Sequence, residues 1–408
     1  MVLSSYFLVA LVLVANLVVL PYFLILFLIS LSGLLKGTLS RQTADGTANS
    51  RFLIIVPAHD EEVGIAETVK SCLGFDYPKD RYDLTVIADN CTDSTAAIAR
   101  QAGATVVERS DPVKKSKGYA IEYLFESLQE TGRFDDYTAY VIIDADTIAE
   151  PNLLSAFDKA LSDGHDWLQA YYTVSNPDDS WRTRLMTYAF SLVNGVALFG
   201  QNAIGLSAGF RGNGMCFSTE GLRRFPFRVY GLVEDIEYSW ELRIAGESVT
   251  FVPETSVSGK MVASSGKAAT SQRKRWEYGR SELKKSKAGP LWRSSRLGIL
   301  AKLGSLLELT MPTMVALAAI YLVLTGLNTL TMLTIARPEN PPLFSLLILF
   351  QVMMTLGVVL YGMSPFLVMH VPWRYSLTLA FFPAYALWKI IAIGGGKPKE
   401  WVRTARET

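Results

Sequence analysis

The residues of this chain best suited to chemistry are a few carboxylates placed where strands should end and a group of cations crowded into one short stretch. In YVIIDADT, Asp144 and Asp146 stand two apart behind an apolar run. If the extended conformation persists, both side chains project to the same side. Such a pair suits one divalent cation, Mg²⁺ or Mn²⁺, completing its shell with water and phosphate oxygens. Acidic residues after strands are also common in loops that hold no ion, so the spacing alone leaves both readings open. Farther on, GLVEDIEYSWELRIAG opens a helical segment with Glu234 and Asp235, which either oppose the helix dipole or belong to a site. The stretch SQRKRWEYGR holds Gln272, Arg273, Lys274, Arg275, Trp276 and Arg280. It is either a basic surface beside a membrane or a phosphate-binding fork next to a flat apolar face on which a sugar ring can stack.

Other chemistries are excluded. No GxGxxG follows a strand and no GxxxxGK[ST] occurs, so the dinucleotide and P-loop signatures are missing. The 3 cysteines (Cys72, Cys91, Cys216) and 3 histidines (His59, His165, His370) form no ligand cluster, which leaves no zinc site and no disulfide framework. Lys+Arg number 39 against Asp+Glu 38, so a net charge of +1 supplies no global field for nucleic acid. Chemistry must rest on carboxylates, basic side chains or a hard metal ion held by oxygen.

The elements that must carry these residues follow from the pattern. An apolar run over 52–56 is stopped by Pro57, and a helix follows Asp60 as its cap, with Glu61 and Glu62 in its first turn. A second strand, 84–88, leads through Asp89 to a helix over 94–102 closed by Gly103. Val106 and Val107 mark a third strand, 118–129 a helix, and 140–143 a fourth strand ending at Asp144. Strands alternating with helices at this spacing predict an α/β fold with a parallel sheet. Ligands in such sheets bind beyond the carboxyl ends of the strands, where Asp89, Asp144 and Asp146 fall.

The flanks are of another kind. With 408 residues the chain has room for two or three domains at about 150 residues each. Half of it is apolar and only 19% charged, below the roughly 25% of soluble domains, which points to a lipid bilayer as partner. Residues 1–35 carry no charge and read as one long membrane helix with Pro21 as a site for a bend. Lys36 and Arg41 follow it, so the positive-inside rule puts the amino terminus outside and the next domain, 51–281, in the cytosol. A basic stretch over 282–302 reads as an interfacial helix with Leu291 and Trp292 dipping into an anionic leaflet. A membrane region over 309–396 then holds about three helices, 309–336, 340–369 and 375–396. Three spans would leave the basic tail 397–408 outside, against the positive-inside rule; either 375–396 dips and returns near Pro383 or the rule fails here. The apolar stretch 185–200, at 16 residues, reads as a buried or membrane-contacting helix rather than a further span.

The ordered series VPAHDEE, IADNCTD, IIDADT, GNGMCFS, VEDIE and QRKRW resembles the membrane-embedded family 2 glycosyltransferases, relatives of the cellulose, hyaluronan and poly-N-acetylglucosamine synthases, over 51–280. The resemblance implies a GT-A, Rossmann-like α/β domain inserted between transmembrane helices of a bacterial cytoplasmic membrane. It implies that Pro57, Ala58, His59 and Glu61 form the first nucleotide-contacting loop, that Asp89 meets the uridine and that Lys117 lies near the diphosphate. Asp144 and Asp146 match the DxD pair, with Asp146 as direct metal ligand. Asp235, beside Glu234, falls on the general base of the TED motif. Gln272, Arg275 and Trp276 match QxxRW at the diphosphate and acceptor site. Val233 replaces the Thr of TED, and Gly212, Asn213 and Gly214 stand where cellulose synthases carry an FxCGS-like loop, so the acceptor is left open.

The implied reaction moves a sugar from a nucleotide diphosphate donor, a UDP-sugar, to a carbohydrate hydroxyl. A sugar hydroxyl is a poor nucleophile and needs a carboxylate to take its proton. The leaving diphosphate needs metal and cationic stabilisation. One displacement with no carboxylate nucleophile inverts the donor carbon. QxxRW favours repeated extension of an extracellular polysaccharide, whereas four spans can hardly enclose its path without a second copy of the chain or an export partner. Single transfer to a lipid or lipid-linked acceptor is the alternative, and an inactive nucleotide-sugar-binding scaffold of a secretion complex is a reading of another class. The scarcity of ionisable residues in the spans, apart from Lys389 and His370, speaks against a transporter.

Overall fold

The computed structural model describes residues 2–36, 48–261, 267–335 and 341–393; Arg41, most of the proline-rich loop after residue 336 and the tail 397–408 lie outside the described residues. Eight strands form one sheet: β1 (Phe52–Ala58), β2 (Tyr82–Asp89), β3 (Thr105–Arg109), β4 (Ala139–Ile142), β5 (Thr147–Ala149), β6 (Trp167–Val174), β7 (Met215–Ser218) and β8 (Thr250–Gly259). Their order is β3-β2-β1-β4-β7-β6-β8-β5.

The run FLIIV makes a central strand because both of its faces are covered. Phe52, Ile54 and Val56 enter one core with α2 (Ile65–Leu73), α3 (Thr95–Gln101) and α5 (Leu153–Ser162). Leu53 and Ile55 enter the other with α4 (Lys117–Glu130). Burying five apolar side chains at about 1.5–3 kcal/mol each holds the middle of the sheet.

Several sequence expectations change. The sheet is mixed: β3-β2-β1-β4 and the β6-β8 pair are parallel, whereas β7 runs antiparallel to β4 and β6, and β5 antiparallel to β8. Pro57 does not stop β1, since the strand continues to Ala58 with Pro57 opposite Ile87. Asp60 does not cap a helix. It takes φ +54°, its Oδ1 accepts from the Thr92 N–H at 2.6 Å, and α2 begins only after Gly64. The extended conformation ends before the DxD pair, because Ala145 and Asp146 form a turn between β4 and β5.

On the membrane side, α1 (Val2–Leu35) is a single helix of 34 residues through Pro21, about 51 Å long at 1.5 Å per residue. The stretch around 185–200 becomes α6 (Trp181–Phe190), a π-helical segment (Ser191–Val196) and α7 (Ala197–Ala203). Tyr188, Leu192 and Val196 are buried against Phe23 of α1 and against Leu317, Met354 and Tyr361. The short α8 (Thr219–Arg224) and α9 (Glu234–Ile244) return to the sheet domain. Then α10 (Lys267–Arg293) runs unbroken through the basic motif, so the boundary expected at 281 falls inside one helix. Leu291 does not dip into lipid; it is buried with Val233, Trp240 and Leu283, while Trp292 is exposed. There follow α11 (Ile299–Thr310), α12 (Met314–Thr334) and α13 (Pro341–Leu367).

Among the described residues, Phe7–Leu35, Met314–Thr334 and Pro341–Leu367 are long and apolar enough to cross a membrane. The last apolar stretch divides into a 3₁₀ helix (Trp373–Phe381) and the 12-residue α14 (Phe382–Ile393). These membrane-length helices are joined by polar contacts that hydropathy does not reveal. Asn16 Nδ2 donates to Asn328 Oδ1 at 2.8 Å, Asn328 Nδ2 to Gln351 Oε1 at 3.3 Å, and Gln351 Nε2 to Thr325 Oγ1 at 2.9 Å. In hydrocarbon an amide without such partners is costly, so the chain ties α1, α12 and α13 in one register.

Candidate active site

The loops after β1, β2 and β4 and the start of α9 bring most of the singled-out residues to one end of the sheet. At the β2 end the groups are braced. His59 Nδ1 lies 2.7 Å from the Asp89 carbonyl oxygen, and the Glu61 N–H donates to Thr95 Oγ1 at 2.7 Å. Pro57 is half-buried and Ala58 fully buried as the strand ends. The Asp89 carboxylate is buried and accepts from Arg109 Nη1 at 2.5 Å and from Asn90 Nδ2 at 3.0 Å. Arg109 was not singled out from the sequence; only the pairing of Asp89 with Arg109 in the β2–β3 register brings the two together.

The DxD turn is stapled by the GNG loop. Asn213 is fully buried; its Oδ1 accepts from the Asp144 N–H at 3.1 Å and its Nδ2 donates to Thr147 Oγ1 at 2.7 Å. Gly212 and Gly214 have φ of +79° and +66°, in the left-handed region that favours glycine. A Cβ on Gly212 would also stand 3.1 Å from Asp235 Oδ2, so the loop passes directly over that carboxylate. Gln169, fully buried on β6, holds the loop: Nε2 donates to the Asn213 carbonyl at 2.8 Å and Oε1 accepts from the Arg211 N–H at 2.8 Å. A single glutamine in a strand gave no signal of this in the sequence.

Lys117 joins the two motifs. Its Nζ lies 2.5 Å from Asp144 Oδ1 and also donates to the Gly212 carbonyl. Burial opposes its charge, but Asp144, Glu234 and Asp235 outweigh burial and raise its pKa. Asp235 is pushed up to about 7, first by burial and then by the neighbouring Glu234, against the Ile236 N–H, Lys117 and Arg211. A carboxyl poised near neutrality beside a glycine-lined loop is suited to accept a proton. Ser239 fixes its helix turn, donating to the Asp235 carbonyl at 2.8 Å and accepting from the Phe210 N–H at 2.6 Å. Arg211, the residue before the GNG loop, has its pKa lowered by burial and its charge favoured by Glu308 and Asp235. It was missed because one arginine before a glycine pair carries no pattern of its own.

The third motif packs alongside. Gly279 of α10 lies so close to Val233, the residue before α9, that a Cβ there would come within 2.6 Å of its side chain. Trp276 packs against this contact and has its ring 6.4 Å from Phe190. Arg275 is half-buried with Nε lacking a hydrogen-bond partner. Gln272 lies on the same helix, its side chain outside the described residues.

Residues 49–279, more than half of the chain, match the family described as Glycosyltransferase like family 2. The chain belongs to this family. This glycosyltransferase is also 42% identical over 48 residues to the probable glycosyltransferase YdaM of Bacillus subtilis (strain 168), a match covering 12% of the chain and 11% of that relative. Among solved structures it resembles the mannosyltransferase PcManGT from Pyrobaculum calidifontis in complex with GDP-Man and Mn²⁺. The TM-score is 0.53 at 15% identity, over 88% of this chain and 98% of that one. The mixed sheet with its covering helices is thus a GT-A-type fold, flanked in this glycosyltransferase by helices long enough to span a membrane.

The Mn²⁺ is that of PcManGT, and the donor set of this glycosyltransferase fits a divalent cation. Asp144 and Asp146 offer only carboxylate oxygens, the donors a hard cation takes, and Asp144 already accepts a cation in the form of Lys117. A second set, Asp60, Cys91 and Asp93, has ligand atoms within 4.8 Å of one another. Its oxygens are engaged by Thr92, Thr95 and the Glu62 N–H, so it braces the loops after β1 and β2.

Proposed function

We propose that this family 2 glycosyltransferase is an inverting enzyme that moves a sugar from a nucleotide diphosphate donor, a UDP-sugar, to an acceptor hydroxyl at the cytosolic face of a membrane. The observation that carries this is Asp235: a carboxyl pushed up to about 7, beside Lys117, Asp144 and the GNG loop. Near neutral pH it can take the proton of the attacking hydroxyl, worth about 10²–10⁴-fold in rate. Asp144 and Asp146 would hold Mg²⁺ or Mn²⁺, which when bound supplies positive charge to the departing diphosphate. Lys117 and Arg275 add cationic charge near the same group, and Trp276 offers a face for the acceptor sugar. The loop from Pro57 to Glu61 with Asp89 forms the nucleotide end. A single displacement leaves no glycosyl-enzyme step and inverts the donor carbon.

The acceptor favoured by the QxxRW resemblance is a growing polysaccharide. A lipid-linked acceptor is the second reading, favoured by one observation: α14 lies against the QxxRW helix α10 and presents Leu387, Ile390 and Ile391 outward as an exposed apolar face. Incubating membranes with radiolabelled nucleotide sugars, with and without EDTA, tests the whole. EDTA-sensitive incorporation that Asp235→Asn abolishes is expected, and incorporation undiminished in Asp235→Asn overturns the assignment. High-mass product resistant to lipid extraction identifies a polymer, and extractable label a lipid.

A further inference from the structure

Two arginines that play no part in the donor site meet where α6, α10 and α14 converge. Arg182 Cζ lies 4.4 Å from the ring centroid of Trp388 and 5.7 Å from that of Trp181. Arg273 Cζ lies 4.9 Å from Trp276 and 5.8 Å from Tyr385. Each guanidinium is therefore ordered by one ring from its own helix and one from α14. Neither pairs with a carboxylate among the described residues, because the acids nearby are committed: Asp178 to Arg184 and Arg374, Glu277 to Lys389 at 2.5 Å. Arg182 Nε is buried without a hydrogen-bond partner. Burial lowers the pKa of Arg182, and the charge of Arg273 acts in the same direction. Two like charges, partly buried and without a counterion among the described residues, form an arrangement that an anion relieves.

The third wall says what kind of anion. Along α14, Tyr385, Trp388 and Lys389 face the arginines and α10, whereas Leu387, Ile390 and Ile391 are 62%, 61% and 70% exposed. This is a helix with cation-holding rings on one side and bare aliphatic side chains on the other, the pattern of an element lying in a bilayer interface. An anion that reaches the arginines there comes attached to an apolar chain. We propose that Arg182 and Arg273 bind the phosphate group of a membrane lipid, with the Leu387, Ile390 and Ile391 face lying along its hydrocarbon. Guanidinium forks match phosphate oxygens in pairs, which a lysine ammonium does not. The Lys389–Glu277 ion pair positions α14 so that its rings meet the arginines, which accounts for a lysine inside an otherwise apolar stretch.

This inference does not depend on which acceptor the transfer reaction uses and is tested by binding alone. The full chain, purified in a neutral detergent, is titrated with dioleoyl phosphatidic acid, dioleoyl phosphatidylcholine and inorganic phosphate, and retained lipid is counted by native mass spectrometry. Phosphatidic acid is expected to be retained one per chain in preference to phosphatidylcholine. R182Q and R273Q should each weaken it about tenfold, R182K less, with the thermal midpoint of the protein unchanged. Millimolar inorganic phosphate should fail to displace it. A folded R182Q/R273Q double variant that retains phosphatidic acid like the wild type overturns the site. Displacement of the lipid by inorganic phosphate overturns the lipid as its source. Should the variants not fold, equal retention of phosphatidic acid and phosphatidylcholine by the wild type overturns it as well.

Discussion

Two places at the same end of the sheet treat their carboxylates differently. After β2, Asp89 is buried but answered by Arg109 at 2.5 Å and by Asn90. At the start of α9, Glu234 and Asp235 share Lys117 with Asp144, Arg211 acts on Asp235, and Asp235 is pushed up to about 7. The first arrangement fixes a loop; the second leaves a group that can change its proton near neutral pH. Burial is common to both; the difference is that Asp89 is paired directly with a guanidinium, whereas Asp235 has a second carboxylate, Glu234, beside it.

The largest effect that can break this contrast is at Asp235. Asp235→Asn should lower sugar transfer by about 10³-fold, measured as product formed in membranes, while nucleotide-sugar binding stays within a few-fold of wild type. A comparable loss of donor binding would move Asp235 into the nucleotide site and erase the distinction. Next is the β2 end. Arg109→Met leaves Asp89 buried and alone, and should cost about 3 kcal/mol of stability, read as a lower thermal midpoint before any effect on turnover. If Arg109→Met instead halted transfer in a fully stable protein, the pair would belong to the chemistry.

Smaller effects sharpen the contrast. Transfer should rise with pH through about 7, as the Asp235 carboxyl loses its proton. Lys117→Met removes a charge that lowers the pKa of Asp235 and should move this rise to higher pH; an unmoved profile would separate the two groups. The smallest signal is in stability. With its pKa raised from 3.8 to about 7, Asp235 binds more protons folded than unfolded between these values. Its destabilising contribution is therefore absent below about 3.8, grows as pH rises and is complete above about 7. Asp235→Asn should lose that slope in a plot of thermal midpoint against pH.

Much of this was legible in the chain itself. The period-two burial of FLIIV, the glycine closing α3 and the uncharged length of α1 each follow from local pattern, because one strand or helix buries its face whatever its neighbours are. The places of Asp89 at the end of β2 and of Asp144 just beyond β4 follow in the same way, from strand length and pattern. The departures were those that depend on a partner remote in sequence. Asp60 turned from helix cap to brace because Thr92 lies across from it, and Leu291 turned from lipid to core because Trp240 covers it.

By itself, then, the sequence determined which residue types are available and that a polar α/β domain is flanked by membrane-length helices. Tertiary structure decided which charges are spent and which are kept. Gln169 holding the GNG loop, Arg109 answering Asp89, Lys117 lying between Asp144 and Gly212, and Lys389 meeting Glu277 are contacts between segments far apart in the chain. The reason is electrostatic. A carboxylate's pKa depends on the charges and water within a few ångströms of it, and only the folded chain sets that neighbourhood.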